Sequence, residues 1–271
     1  MRNKIIASIL ADELPELKKL KCSNSDDYVT AMDYFYNLLV KFENENPIET
    51  TNYKLISDES ILDNFIEWLP NLKENEKFYV TLFARKKYAP FLKSDKAQLK
   101  RCLATKERIK EKIRQMEISY GGYKVDGQVV PQEALAVYIT PNPRSLTRAM
   151  KQLAKQLVEC GFEGRVINPV SEALTAVHQN LGTTYFKDFD FDKVDLESTL
   201  KAAYCVINKS AVHILKTRGG FHLLVELSKI EKQYEKKWYM GLCSLEGCDV
   251  RGDNLIPIPG CIQGNFTPYL I

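Results

Sequence analysis

The rhythm of apolar positions changes along this chain. In Tyr28–Phe42, Val29, Met32, Phe35, Leu38 and Leu39 recur at helical spacing, and Ser60–Leu69 repeats that pattern over a shorter span. A polar stretch with Pro47, Asn44–Thr51, separates the two. Lys77–Ala84 (KFYVTLFA) is dense in β-branched and aromatic residues and predicts a strand, with Arg85-Lys86-Lys87-Tyr88 directly after it. Leu92–Glu117 reads as a long basic helical region broken near Thr105, and Gly121-Gly122 marks a loop.

From residue 134 the pattern alternates. Ala134–Thr140 (ALAVYIT) predicts a strand closed by Pro141-Asn142-Pro143-Arg144. Ser145 is placed to cap a helix in which Leu146, Met150, Leu153 and Leu157 form one apolar stripe, with Gly161 ending it. Arg165–Asn168 reads as a short strand and Ser171–Gln179 as a short helix. The C-terminal part then gives strand Thr183–Phe191, helix Leu196–Tyr204, strand Ala211–Lys216, strand Gly220–Leu227, helix Ser228–Tyr239 and a last strand within Cys248–Ile258. This is a β-α-β-β-α-β order, ferredoxin-like or RNA-recognition-motif-like (RRM-like), and the fold class is α+β. The expected organisation is a helical N-terminal region over residues 1–75 and a second domain over 76–271. That domain divides into a first module, 76–180, and a palm, 181–271.

Composition changes this picture little. With 271 residues, 45% hydrophobic and 27% charged, the chain has material for a real core. A net charge of +3 announces no nucleic-acid partner by itself. Charge is unevenly spread, however: Lys41–Lys77 has nine acids and four bases, and Lys93–Arg114 has nine bases and three acids, a candidate polyanion-facing stretch or a solvated face. Seven scattered cysteines, no C-x-x-C pair and three histidines argue against a structural zinc site and for reduced thiols, as in the cytoplasm. Ile5–Ala11 is too short for a signal peptide, and no apolar run is long enough to span a membrane.

The chemistry concentrates in the C-terminal part. Alternation along Thr183–Phe191 (TTYFKDFDF) puts Asp188, Asp190 and Asp192 on one face and Phe189 and Phe191 on the other. Three like charges at that spacing repel unless a cation compensates them; otherwise they are solvated acids at a strand end. In Gly220–Leu227, His222 falls on the face opposite Phe221, Leu223 and Val225. It follows Lys216-Thr217-Arg218-Gly219-Gly220, a turn whose cations and backbone amides suit phosphate oxygens. Asp249 and Asp253 are further candidates. The fourth strand can lie beside the first or third and, in recognition-motif order, is expected to flank the second, so spacing alone brings neither aspartate to the others.

These residues resemble the archaeo-eukaryotic primases, a superfamily that includes plasmid and phage primase-polymerases. Tyr185-Phe186-Lys187-Asp188-Phe189-Asp190 matches the apolar run with Asp-x-Asp, with Lys187 interrupting the run. Gly220-Phe221-His222 matches small-x-His. Cys248-Asp249, followed by Pro259-Gly260, matches the apolar-acid motif and its turn. Val137–Arg144 looks like the first module of such proteins, and the resemblance covers roughly Ala134 to Phe266. The pattern departs where Ile256 and Ile258 stand before the Pro-Gly turn in place of an arginine, and Gln263-Gly264-Asn265 after it in place of Asn-x-Lys.

The resemblance implies template-dependent nucleotidyl transfer, that of a DNA primase or primase-polymerase, with Asp188, Asp190, His222 and Asp249 catalytic. It implies Mg²⁺ or Mn²⁺ held by Asp188, Asp190 and Asp249, with Asp253 a rival for the third carboxylate and Asp192 a rival in the first motif. Lys216, Thr217, Arg218 and His222 would bind the nucleotide. Partners would be single-stranded DNA template, nucleoside triphosphates and a helicase or other replication proteins, with Lys93–Arg114 and Lys232–Lys237 as backbone-contacting stretches. Two alternatives stand beside this: a metal-dependent nuclease, and a non-catalytic DNA-binding replication initiator that keeps the fold.

Overall fold

Strand β1 (Glu76–Arg85) organises the first half of the structure. Its register alternates Phe78, Val80, Leu82 and Ala84 toward a buried core with Lys77, Tyr79, Thr81, Phe83 and Arg85 on the opposite face. It pairs antiparallel with β2 (Lys96–Ala104) on one side and β5 (Leu135–Ile139) on the other, and its first residues pair with β6 (Arg144–Ser145). β11 (Ile256–Pro257) adds to β5, giving the order β11-β5-β1-β2. A small hairpin of β3 (Lys124–Val125) and β4 (Gln128–Val129) stands apart. This is a computed structural model, and it describes residues 51–271, which form one compact unit. The expected helix over Tyr28–Phe42 and the Ile5–Ala11 segment lie outside the described residues.

The second sheet has the order β10-β7-β9-β8-β12, all antiparallel. It comprises β7 (Phe186–Asp192), β8 (Val212–Lys216), β9 (Gly220–Glu226), β10 (Cys248–Gly252) and β12 (Tyr269–Leu270). The architecture is α+β with antiparallel sheets and six helices among the described residues. α1 (Glu59–Trp68), capped by Asp58, buries Leu62 and Phe65 against the first sheet; α2 (Ile109–Arg114) buries Ile109 and Ile113 there. α3 (Leu146–Phe162) and α4 (Pro169–Gln179) pack on each other around Ala149, Ala176 and Val177, touching Leu103 of β2. α5 (Leu196–Ala203) and α6 (Trp238–Cys243) cover one face of the second sheet, where Phe189, Phe191, Phe221, Leu223 and Val225 are fully buried.

The other face of the second sheet is divided. At one end Phe186, Leu215 and Leu224 join the first sheet's core, and Trp68 of α1 stacks on Phe186 at 4.6 Å between centroids. At the other end lie the polar residues described below. Asn142 joins the two sheets: its Oδ1 accepts from the backbone N–H groups of Tyr185 and Phe186 (2.8 and 2.9 Å), and its Nδ2 donates to the Phe186 carbonyl (2.9 Å). Glu76 does similar work, accepting from the Thr183 amide and hydroxyl (2.6 and 2.7 Å) and the Lys73 amide (3.1 Å).

Four expected elements differ. Lys96–Ala104, read as helix, is strand β2. Its Ala97, Leu99 and Arg101 alternate with exposed Lys96, Gln98 and Lys100, and pairing with β1 overrides helix propensity. Helix Ser228–Tyr239 is replaced by turns, with α6 starting at Trp238. Arg165–Asn168 is not a strand. β10 flanks β7, the first strand of its unit, rather than the second, because its ladder runs Cys248↔Phe191, Asp249↔Asp190 and Val250↔Phe189.

Candidate functional site

The β7–β9 ladder sets Asp190 directly opposite His222, and Asp188 two pairs along opposite Leu224. Gly220 is required where it stands: a Cβ there would lie 1.8 Å from the Phe191 carbonyl oxygen. The small residue two places before His222 thus lets β9 start against β7. Asp188 is buried, and its Oδ1 lies 2.8 Å from His222 Nδ1; His222 Nε2 lies 3.5 Å from Asp190 Oδ1. Burial disfavours the charged ring. Asp188, by charge and hydrogen bond, with Asp190 and Asp192 further out, outweighs burial and holds the His222 pKa above its ordinary value. The imidazole sits between two carboxylates, which favour its protonated form.

These residues form the acidic floor of a cleft of about 980 Å³ between the two sheets. The facing wall is cationic: Arg85, Lys86, Lys87 and Lys96 come from the β1–β2 hairpin, and Arg144 from β6. Thr217, Arg218 and Gly219 close one end. The Arg218 guanidinium lies 4.5 Å from the centre of the Tyr88 ring, and its backbone N–H donates to Gln263 Oε1 at 3.0 Å. Gly264 packs against both side chains; a Cβ there would lie 2.8 Å from Arg218 and 2.9 Å from Tyr88.

Three buried polar side-chain atoms without a hydrogen-bond partner are Asp188 Oδ2, Arg144 Nε and the Tyr88 hydroxyl, and all three residues line this cleft. Such atoms are rare because each costs about 1–3 kcal/mol. Their coincidence around one cavity sets it apart from the rest of the described residues. His178 also lines it, against the Tyr79 ring; burial first, then the charges of Arg144 and Arg101, push its pKa below the ordinary value.

The candidates read from sequence separate here. Asp188, Asp190, Asp192, His222, Thr217 and Arg218 come together in the cleft. Asp249 stands opposite Asp190 on β10, so it shares that face, but it is exposed and lies beyond the cleft lining. Asp253 lines the cleft, yet its carboxylate is engaged by Arg144 (2.6 Å) and Asn142 (2.9 Å). Lys216 pairs with Phe221 in the ladder and therefore shares the helix-covered face, its ammonium 5.9 Å from that ring. As placed, no three His, Cys, Asp or Glu side chains among the described residues form a ready metal ligand set. His178 had no sequence signal as a site residue; Lys96 lies in the basic Lys93–Arg114 stretch, and Arg144 ends the Asn-Pro-Arg stop after a strand.

No protein-family model, curated protein or solved structure matches the chain. No helix among the described residues is long and apolar enough to cross a membrane.

Proposed function

We propose that this chain carries out metal-dependent, template-directed nucleotidyl transfer of the primase type on an RRM-like palm. The fourth strand beside the first, one of the placements open to a β-α-β-β-α-β unit, with every neighbour antiparallel, supports a ferredoxin-like description of the second sheet. The observation that carries the functional reading is the buried Asp188–His222 pair beside Asp190, facing a wall of cations across the cleft. A nucleoside triphosphate has the matching character: phosphate oxygens need cationic partners, and a carboxylate floor repels them unless a divalent cation lies between.

The donor set suits Mg²⁺ or Mn²⁺, which take hard oxygens, and the orphaned Asp188 Oδ2 is a buried oxygen with no protein partner. Asp188 and Asp190 would hold the metal, with Asp249 the neighbouring carboxylate on β10; Asp253 is spent on Arg144 and Asn142. When bound, such ions lower the pKa of an attacking hydroxyl and stabilise charge on phosphoryl oxygens. Asp188 orients the His222 ring, which would donate its second N–H to a phosphate oxygen. Arg218, steadied by Tyr88 and Gln263, would neutralise the triphosphate. Arg85, Lys86, Lys87 and Lys96 would contact the phosphates of a single-stranded DNA template.

The test is incorporation of labelled nucleotide on single-stranded DNA with Mg²⁺ or Mn²⁺, with and without a primer, beside Asp188→Asn/Asp190→Asn. Template-dependent product from the parent alone is expected, and product without primer makes it a primase. Metal-dependent cutting without nucleoside triphosphate would assign a nuclease. DNA binding with no chemistry, unchanged in the variant, would assign a non-catalytic binding protein.

A further inference from the structure

Arg144 and Arg218 reach the cleft at opposite ends, as the strand registers show. The turn carrying Arg218 sits at the Asp192 end of β7: Gly220 pairs with Asp192, and a Cβ on Gly219 would lie 3.0 Å from Asp192 Oδ1. Asp253, whose carboxylate holds Arg144, follows Gly252, and Gly252 pairs with Asp188. Asp188 and Asp192 are four residues apart, and a strand rises about 13 Å over that span. The first sheet repeats the separation. Arg144 pairs with Lys77 at the start of β1, whereas Tyr88, whose ring lies 4.5 Å from the Arg218 guanidinium, follows the end of β1 at Arg85. Asp188, Asp190 and His222 therefore lie between the two arginines.

The nucleotidyl-transfer reading uses the Arg218 end for the triphosphate and leaves the Arg144 end without a task. Arg144 is 3% exposed; its Nη1 donates to Asp253 Oδ2 at 2.6 Å, but its Nε is buried with no acceptor in the chain. Asp253 also accepts from Asn142 at 2.9 Å, so the guanidinium is held in place before any ligand arrives. His178 borders the same end, where burial and then the charge of Arg144 lower its pKa, so the cation there at neutral pH is the guanidinium and not the imidazole. A guanidinium with an unused N–H suits a phosphate oxygen. In-line displacement decides whose phosphate that is. The attacking oxygen and the leaving pyrophosphate stand on opposite sides of the phosphorus transferred. With the pyrophosphate at Arg218, the attacking hydroxyl enters from the Arg144 side. We propose that Arg144 binds the acceptor strand, through the phosphodiester on the 5′ side of the nucleotide whose 3′-hydroxyl attacks. This rests on the nucleotidyl-transfer reading. In the step served, the 3′ oxygen bonds to the α-phosphorus, the bond from that phosphorus to pyrophosphate breaks, and the hydroxyl proton leaves to water.

The test is extension of a primer whose last phosphodiester is replaced by an uncharged methylphosphonate, beside the ordinary primer, in the parent and in Arg144→Lys. Lysine keeps a charge for Asp253 but lacks the Nε–H and the planar fork. In the parent the replacement is expected to raise the KM for primer about tenfold, the equivalent of one charge-assisted hydrogen bond. Arg144→Lys should bind the ordinary primer about tenfold more weakly, and the replacement should then add less than about twofold. Its KM for nucleoside triphosphate should stay within about twofold of the parent's. Such non-additivity reports a direct contact, which a purely structural role for Arg144 does not produce. A replacement without effect in the parent, or with the same effect in both proteins, overturns the proposal, as does a variant in which only the KM for nucleoside triphosphate rises. Should Arg144→Lys melt well below the parent, Arg144→Gln/Asp253→Asn, which leaves neither charge unpaired, takes its place. A parent that incorporates nothing overturns the nucleotidyl-transfer reading instead, and fluorescence anisotropy of the same two oligonucleotides then decides the subsite. A preference for the phosphodiester that Arg144→Lys lacks keeps the subsite, and no preference overturns it.

Discussion

The two faces of β7 are made by alternate residues of one seven-residue strand and obey opposite rules. On the helix-covered face, Phe189 and Phe191 are fully buried among Phe221, Leu223, Val225 and the helices α5 and α6, and Phe191 stacks on Phe221 at 5.3 Å. On the cleft face, Asp188 is equally buried but keeps one carboxylate oxygen without a partner, and Asp190 and Asp192 add charge of the same sign nearby. The first face is what folding alone would select. The second leaves buried polar capacity unused, which lowers stability and is retained where an external group uses it. The first face thus answers to stability; the second does not, and under the proposed function its role is binding.

The largest effect should come from the apolar face. Phe191→Ala removes a fully buried ring and is expected to cost about 3–5 kcal/mol, seen as a lower midpoint in denaturant unfolding. A loss under about 1 kcal/mol would mean that this face does not hold the sheet. On the cleft face, Asp188→Asn/Asp190→Asn keeps the side-chain shapes and relieves like-charge repulsion. Its melting temperature should stay level or rise, while nucleotide incorporation falls at least about a hundredfold, as expected when a metal site loses its carboxylates. A marked fall in melting temperature would show the aspartates to be structural and break the contrast.

A smaller effect sharpens the comparison within three residues. Arg218 lies in the cleft, whereas Lys216 lies on the helix-covered face over Phe221. Arg218→Ala should raise the KM for nucleoside triphosphate about tenfold, the equivalent of one charge-assisted hydrogen bond, and Lys216→Ala should change it less than about twofold. Equal effects would show that both cations reach the nucleotide.

How far the sequence foretold this depends on the range of the interactions involved. Alternation along β7 and β9 is local, so the segregation of Asp188, Asp190 and His222 from Phe189, Phe191 and Phe221 could be read directly. Ser145 caps α3 through a bond to a residue three positions on, which is also local. β2 was not legible as a strand because Lys96–Ala104 has ordinary helix formers and becomes a strand through its ladder with β1. The assignment of Asp253 to Arg144 spans 109 positions, and no spacing rule reaches that far. Lys216 was grouped with Arg218 because they are near in sequence, whereas the pleat sends it to the other face. The stripe Leu146, Met150, Leu153 and Leu157 was half right: Leu146 and Leu153 pack inward, while Met150 and Leu157 face out.

Glu76 is a third kind of polar group, buried like Asp188 but fully satisfied, and it gives the comparison a pH test. Burial alone would raise its pKa; the hydrogen bonds from the Thr183 hydroxyl, the Lys73 amide and the Thr183 amide outweigh it and hold the value below the ordinary 4.5. A carboxylate whose folded pKa is depressed binds a proton more readily in the unfolded chain. Its contribution is therefore complete above about pH 4.5 and is lost as pH falls through the lower, folded value. Glu76→Gln removes the charge but keeps one acceptor oxygen, so it should cost about 1–2 kcal/mol near neutral pH, the difference between a charged and a neutral hydrogen-bond acceptor. The gap between parent and variant should then narrow as the pH is taken below about 4.5, because the parent's carboxylate becomes protonated too. Unfolding midpoints of both proteins over that range decide the matter. A gap of constant size would mean that Glu76 acts through shape alone, and that the link from β1 to the start of β7 does not depend on its charge.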